Sequence, residues 1–213
     1  MTFPARHLPE RLVLHLGWLA PLWFAAVLAA WAFGLPASAL APVGQLGAIG
    51  APGAAAFNAL GLMAPGLALV LFSIALERVL VRDGAGRAAR LGTGMLMICA
   101  LAYAAQGAFP LDLDELDGPV SQRHASALAL ALLGQIAAQI TLALALGRLP
   151  RWRLAATLSL LAGVALAGGL IWPPQELFPF LAGRAGLAQR LLLALWFGWF
   201  ALIAILALRR TGR

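Results

Sequence analysis

The sequence predicts an all-α fold, a bundle of six transmembrane helices formed by residues 1–213 as a single domain. Three observations predict it. The first is composition: of 213 residues 62% are hydrophobic and 11% charged, where a soluble domain carries about 25% charged residues. Mean hydropathy is +0.90. The second is spacing: six apolar runs, each near the ~20 residues that cross a bilayer core, are separated by charged or Pro/Gly-rich segments. The third is the absence of alternating ~10-residue strands. Lipid offers unpaired backbone no partner, so helices are the remaining way to cross.

The first run covers residues 12–34, after Arg11, and carries Trp18, Trp23 and Trp31. Two basic residues, an apolar run and "PASALA" at 36–41 also resemble a signal peptide. The run is longer than a signal core of about 7–15 residues, so a retained helix is the expectation. The connection 35–54, "LPASALAPVGQLGAIGAPGA", is uncharged, and its Pro and Gly content argues against helix. It is expected to fold over one end of the bundle. The second run, 55–76, contains Pro65, which should kink it. "VRDGAGRAAR" then reads as a solvated turn. The third run, 91–109, holds Cys99, the only cysteine, so no intramolecular disulfide or thiolate cluster can form. The fourth, fifth and sixth runs cover 126–146, 154–172 and 188–208. Gly61, Gly66, Gly92, Gly94, Gly163, Gly168 and Gly169 lie in or at runs, where small residues let helices approach.

All fifteen cations are arginine, which excludes a lysine Schiff base. The net charge of +7 is distributed around apolar spans and does not form a basic patch interleaved with aromatics, so nucleic acid is not the expected partner. Twelve of the fifteen fall in the N-terminus, the second and fourth connections and the C-terminus. Only Arg123, Arg184 and Arg190 fall on the other side. The positive-inside rule then places both termini in the cytoplasm of a bacterial inner membrane.

The unusual polar residues gather on the side poor in arginine. "FPLDLDELDGPVSQRHASALAL", 109–130, holds Asp112, Asp114, Glu115 and Asp117, four of the chain's eight acids, and His124. Asn58, Gln106, Gln189 and Arg190 lie at helix ends on the same side. Gln135 is eleven residues beyond His124, about 20° from the same helical face, and Gln139 is one turn further. Amides at that depth must face protein or water. The expectation is an outward-facing polar pocket that binds a membrane lipid headgroup, a small amphiphile or a membrane protein partner through Asn58, Asp112, His124, Gln135, Gln189 and Arg190. Three roles stay open for parts of this set. Asp112 and His124 are the catalytic candidates for a membrane hydrolase or transferase, with or without a metal. Asp112 and Arg190 would pair to clamp the third and sixth helices, in a structural or accessory subunit. Arg190 would alternatively hold a lipid phosphate. No cofactor is expected. No Gly-rich phosphate loop, G-x-S-x-G or H-E-x-x-H occurs, no matched histidine pair suits haem, and no mid-span acid suggests an ion-coupled transporter.

Four short motifs carry a resemblance. "GAPGAAAFN" entering the second helix, "GAFPLD" closing the third, His124 opening the fourth and "GLAQR" opening the sixth resemble the bacterial membrane family catalogued as domain of unknown function 998. The resemblance implies the same six-span organisation over nearly the whole chain. It marks Asn58, Phe109, Pro110, Asp112, His124, Gly186, Gln189 and Arg190 as family-like positions and supplies no activity.

Overall fold

The computed structural model describes residues 8–35, 40–172 and 174–211. Arg6, His7, Arg213 and most of the cleavage-like "PASALA" lie outside the described residues, as does the side chain of Gln175. The chain runs α1 (Leu8–Leu14), α2 (Leu16–Gly34), α3 (Val43–Leu46) and α4 (Ala54–Phe57). A π-helical stretch, Asn58–Met63, leads into α5 (Ala64–Arg82). Then come α6 (Gly86–Ala108), α7 (Pro119–Leu146), a 3-10 turn at Pro150–Trp152, α8 (Arg153–Ile171), α9 (Pro174–Leu177), a 3-10 turn at Pro179–Leu181, and α10 (Ala185–Thr211). Six helices are long and apolar enough to cross a membrane: Leu16–Gly34, Ala54–Arg82, Gly86–Ala108, Pro119–Leu146, Pro150–Ile171 and Ala185–Thr211.

Most spans outrun their apolar runs. The 27 residues of α10 make a helix of about 40 Å at ~1.5 Å per residue, against a hydrocarbon core of about 30 Å. Hydropathy detects only the part inside hydrocarbon, whereas the helix continues through the headgroup layers. The fourth span therefore begins at Pro119, not at 126, with Pro119 at N1 and Gly118 before it, where a fixed φ suits a helix start. The first run is divided: α1 stops at Leu14 and α2 starts at Leu16. At the break, the Trp18 indole donates to His15 Nδ1 at 2.8 Å.

The expected disturbance at Pro65 lies just before it. Proline has no N–H for the carbonyl of Gly61, and the π-helical stretch Asn58–Met63 frees further carbonyls. Neighbouring helices satisfy two of them. Trp23 Nε1 donates to the Leu60 carbonyl at 2.8 Å, and the Tyr103 hydroxyl to that of Gly61 at 3.3 Å. In lipid, only such protein donors make an irregular helix tolerable.

α10 is the central helix of the core. Phe197 stacks on Phe24 of α2 at 4.8 Å between centroids, and Trp196 stacks on Tyr103 of α6 at 4.9 Å. Phe200 meets Phe72 of α5 edge-on at 6.0 Å. α5 and α6 come close at Gly66, where a Cβ would sit 2.7 Å from that of Ala104; α6 and α7 do so at Gly92, against Leu142. Gly94 and Gly168 have nothing within 4 Å of an added Cβ, so the close-approach role expected of them is not theirs.

Both ends of the bundle are tied by polar contacts. At the end bearing the termini, Arg82 pairs with Glu10 at 2.6 Å and the Arg210 guanidinium donates to the Arg151 carbonyl. Asp83, expected in a merely solvated turn, accepts from Trp152 Nε1 at 2.7 Å and so fastens α5 to the start of α8.

Candidate functional site

The opposite end is covered by the first connection, as its composition suggested, although one turn of it, Val43–Leu46, is helical. The segment lies flat because it is small and apolar: Val43, Leu46 and Ala48 are buried. Gly50 and Gly53, at φ +79° and +70°, supply turns that other residues rarely adopt.

Two side chains, one backbone bond and one close approach fasten this segment. Gln189 of α10 accepts the Val43 N–H through Oε1 at 2.7 Å. Asn58 donates from Nδ2 to the Gly47 carbonyl at 2.9 Å. The Ile49 N–H reaches the Leu111 carbonyl at 2.8 Å. Gly186 receives the chain directly, since a Cβ there would lie 2.1 Å from the Leu40 carbonyl oxygen.

His124 supports the segment from beneath. It is 5% exposed, and its Nδ1 lies 2.9 Å from the Phe109 carbonyl and 3.2 Å from that of Gln106. Both partners only accept, so Nδ1 carries a proton and donates. These carbonyls close α6, where the last turn has no helical donors, and a histidine is a suitable side-chain cap. Nε2 faces the first connection: a Cβ on Gly44 would lie 3.1 Å from it.

The acidic segment shapes its own loop. Asp112 Oδ1 accepts the Asp114 N–H at 3.0 Å, a local turn typical of aspartate. Ser121 of α7 accepts the Asp112 N–H and donates to the Asp112 carbonyl, both at 3.0 Å. Asp114, Glu115 and Asp117 are exposed, and the Arg123 guanidinium sits over the Phe109 ring at 5.8 Å.

These placements sort the expected site residues. Asn58, His124 and Gln189 meet at the first connection, and Asp112 stands beside it. Arg190 follows Gln189 and is half-buried. Gln135 lies about 16 Å along α7 from His124 at ~1.5 Å per residue, fully buried, donating to the Trp196 carbonyl at 2.8 Å. The Asp112–Arg190 clamp is not formed: among the described residues the only ion pair within 4.0 Å is Arg82–Glu10. Asp112 is turned into its own loop instead. For the same reason Asp112 and His124 do not make a dyad. Among the described residues no three His, Cys, Asp or Glu side chains converge as a metal site. Sequence reasoning missed Gly44, Gly47 and Ser121. The two glycines are indistinguishable from others in a Gly-rich stretch, whereas Ser121 in the first turn of a helix was a readable anchor.

Two clefts flank the fastened segment. One, of about 340 Å³, lies beside Asn58 and is lined by Gly47, Met63, Gly107 and Pro110. The other, of about 290 Å³, opens between α7, α8 and α10, lined by Leu128, Leu132, Gly169, Leu192 and Leu193 with Gln189 at its polar side.

Six apolar spans around an aromatic core, capped at one end by a side-chain-fastened connection, define a polytopic helical membrane protein. Residues 18–206 match the family model described as protein of unknown function DUF998, and the chain belongs to that family. Neither a curated protein nor a solved structure matches it. The motif residues behind the resemblance are largely those that build the cap: Asn58, Phe109, Asp112, His124, Gly186 and Gln189.

Proposed function

We propose that this protein is a bacterial inner-membrane binding module with both termini in the cytoplasm. It would hold an anionic amphiphile, a phospholipid included, in the cleft between α7, α8 and α10 at its outward end. The observation that carries this reading is the composition of that cleft. Its walls are mainly leucine, glycine and alanine, fit for a chain, with Gln189 as the polar lining residue; Arg184 and Arg190 are the sequence neighbours of its lining residues Ala185 and Gln189. Arginine suits a phosphate or carboxylate. Gln189 joins the cleft to the cap, because its carbonyl oxygen is held by Val43. The orientation is supported by the arginines: Arg78, Arg82, Arg87, Arg90, Arg148, Arg151 and Arg153 lie in helix ends and connections at the end bearing the termini.

The test is native mass spectrometry of the protein released from mild detergent. The wild type should retain an anionic phospholipid. Arg184→Ala with Arg190→Ala, or Leu132→Trp to fill the cleft, should lower that retention severalfold, and Arg87→Ala at the other end should not. Equal retention in all four proteins would refute the assignment. A structural or accessory role is the second reading. It is favoured by the fact that Asn58, His124, Gln135 and Gln189 each bond a backbone group of another segment, and it predicts that equal retention.

A further inference from the structure

The cleft of the proposed binding site continues inward as a seam. On α7, Leu128 and Leu132 are followed on the same stripe by Gln135 and Gln139. On α8, Leu170 is followed by Leu166, Gly163 and Ser159. On α10, Gln189 and Leu192 are followed by Trp196 and Trp199. Spacings of three and four put each set on one helical face. The three faces meet: Gln135 donates to the Trp196 carbonyl at 2.8 Å, Trp196 Nε1 to the Ala131 carbonyl at 3.2 Å, and Trp199 Nε1 to Ser159 Oγ at 3.0 Å. Gly163 faces Gln139, since a Cβ there would lie 3.3 Å from Gln139 Oε1.

Three polar atoms in this seam have no protein partner. Gln135 and Gln139 are both 0% exposed. Yet Gln135 Oε1 and both Gln139 amide atoms, Oε1 and Nε2, make no hydrogen bond. Two acceptors and one donor sit on residues one turn apart, with Cβ atoms about 5–6 Å from each other. Buried polar groups are paired with protein or with ordered water as a rule, and in hydrocarbon the rule is stricter. A guest that both donates and accepts, and has about two to four partners within reach, meets the hydrogen-bonding part of the requirement for a buried water.

We infer that Gln135 and Gln139 hold a neutral hydroxyl-bearing guest in the mid-membrane seam between α7, α8 and α10. The guest is either a water molecule or the hydroxyl of an amphiphile. Gln139 Nε2 donates to the guest oxygen, and the guest proton goes to Gln135 Oε1 or Gln139 Oε1. The site rests on the unpartnered amide atoms and stands whether or not the cleft above it binds lipid.

The test uses the full chain in lipid nanodiscs with glutamine side chains labelled with nitrogen-15. The Gln139 amide resonance is assigned by its loss in Gln139→Leu. Cross-relaxation from that amide to the water signal supports water. Cross-relaxation to hydroxyl-bearing protons of a co-purified amphiphile supports the second source. Neither signal overturns the inference. Stability supplies an independent sign: replacing a bridged amide strands Gln135 Oε1, so Gln139→Leu should lower the melting temperature by several degrees. A raised melting temperature would show that Gln139 had no partner to lose, and would also overturn it.

Discussion

Gly186→Ala is the sharpest perturbation of the cap. An alanine Cβ would lie 2.1 Å from the Leu40 carbonyl oxygen and 2.6 Å from the Ala41 carbonyl carbon. A carbon–oxygen contact is comfortable near 3.3 Å, so the backbone must retreat by about 1.2 Å. Backbone cannot rotate aside as a side chain does. Moved by that amount, Val43 N–H, now 2.7 Å from Gln189 Oε1, falls outside hydrogen-bond range. Overpacking costs about 1–3 kcal/mol and a lost hydrogen bond about 0.5–1.5 kcal/mol. A combined weakening of the cap of about 2 kcal/mol corresponds to about 30-fold more of the opened form. Thiol labelling reads this directly. Cys99 is fully buried, so a cysteine placed at the buried Ala48 reports cap opening alone. In the rapid-opening regime the labelling rate follows the open population. Gly186→Ala should raise it about 30-fold in the Ala48→Cys background without changing the fold of the spans. An unchanged rate would mean that the close approach of Gly186 to Leu40 does not govern the cap.

Two further predictions concern the spans. Trp23→Phe and Tyr103→Phe each remove a donor from a carbonyl freed near Pro65; each should lower unfolding stability by about 1 kcal/mol, measured by denaturation in mixed micelles. The double variant should lose more than either, and a stability gain in both singles would contradict the capping role. Gln135→Ala removes the side-chain donor to the Trp196 carbonyl and should cost about 0.6 kcal/mol, at most about 1.7, by the same measurement, as interhelical hydrogen bonds in membranes do.

The spans were legible because burial in lipid imposes a length on apolar runs. Their ends were not, since Pro119–Leu146 and Ala185–Thr211 run on into polar surroundings that hydropathy does not score. The cap was legible in part. Polar residues at helix ends, such as Asn58, His124 and Gln189, were conspicuous because each is costly unless partnered. What they bond was not legible. Their partners are backbone groups of Gly47, Phe109 and Val43, and a backbone group leaves no trace in residue identity. The Asp112–Arg190 pairing failed for a related reason: opposite charges at similar depth suggested a bridge, but an aspartate two residues before a free N–H folds onto its own loop. Equally hidden was Asp83, whose bond to Trp152 joins segments 69 residues apart.

The central claim is that Asn58, Gly186 and Gln189 clasp the first connection across the bundle end. Hydrogen exchange of the Val43 and Ile49 amides in nanodiscs tests it most directly. Protection of both in the wild type is expected, with Val43 becoming fast in Gln189→Ala while amides in the spans keep their rates. Unprotected Val43 and Ile49 in the wild type would contradict the clasp.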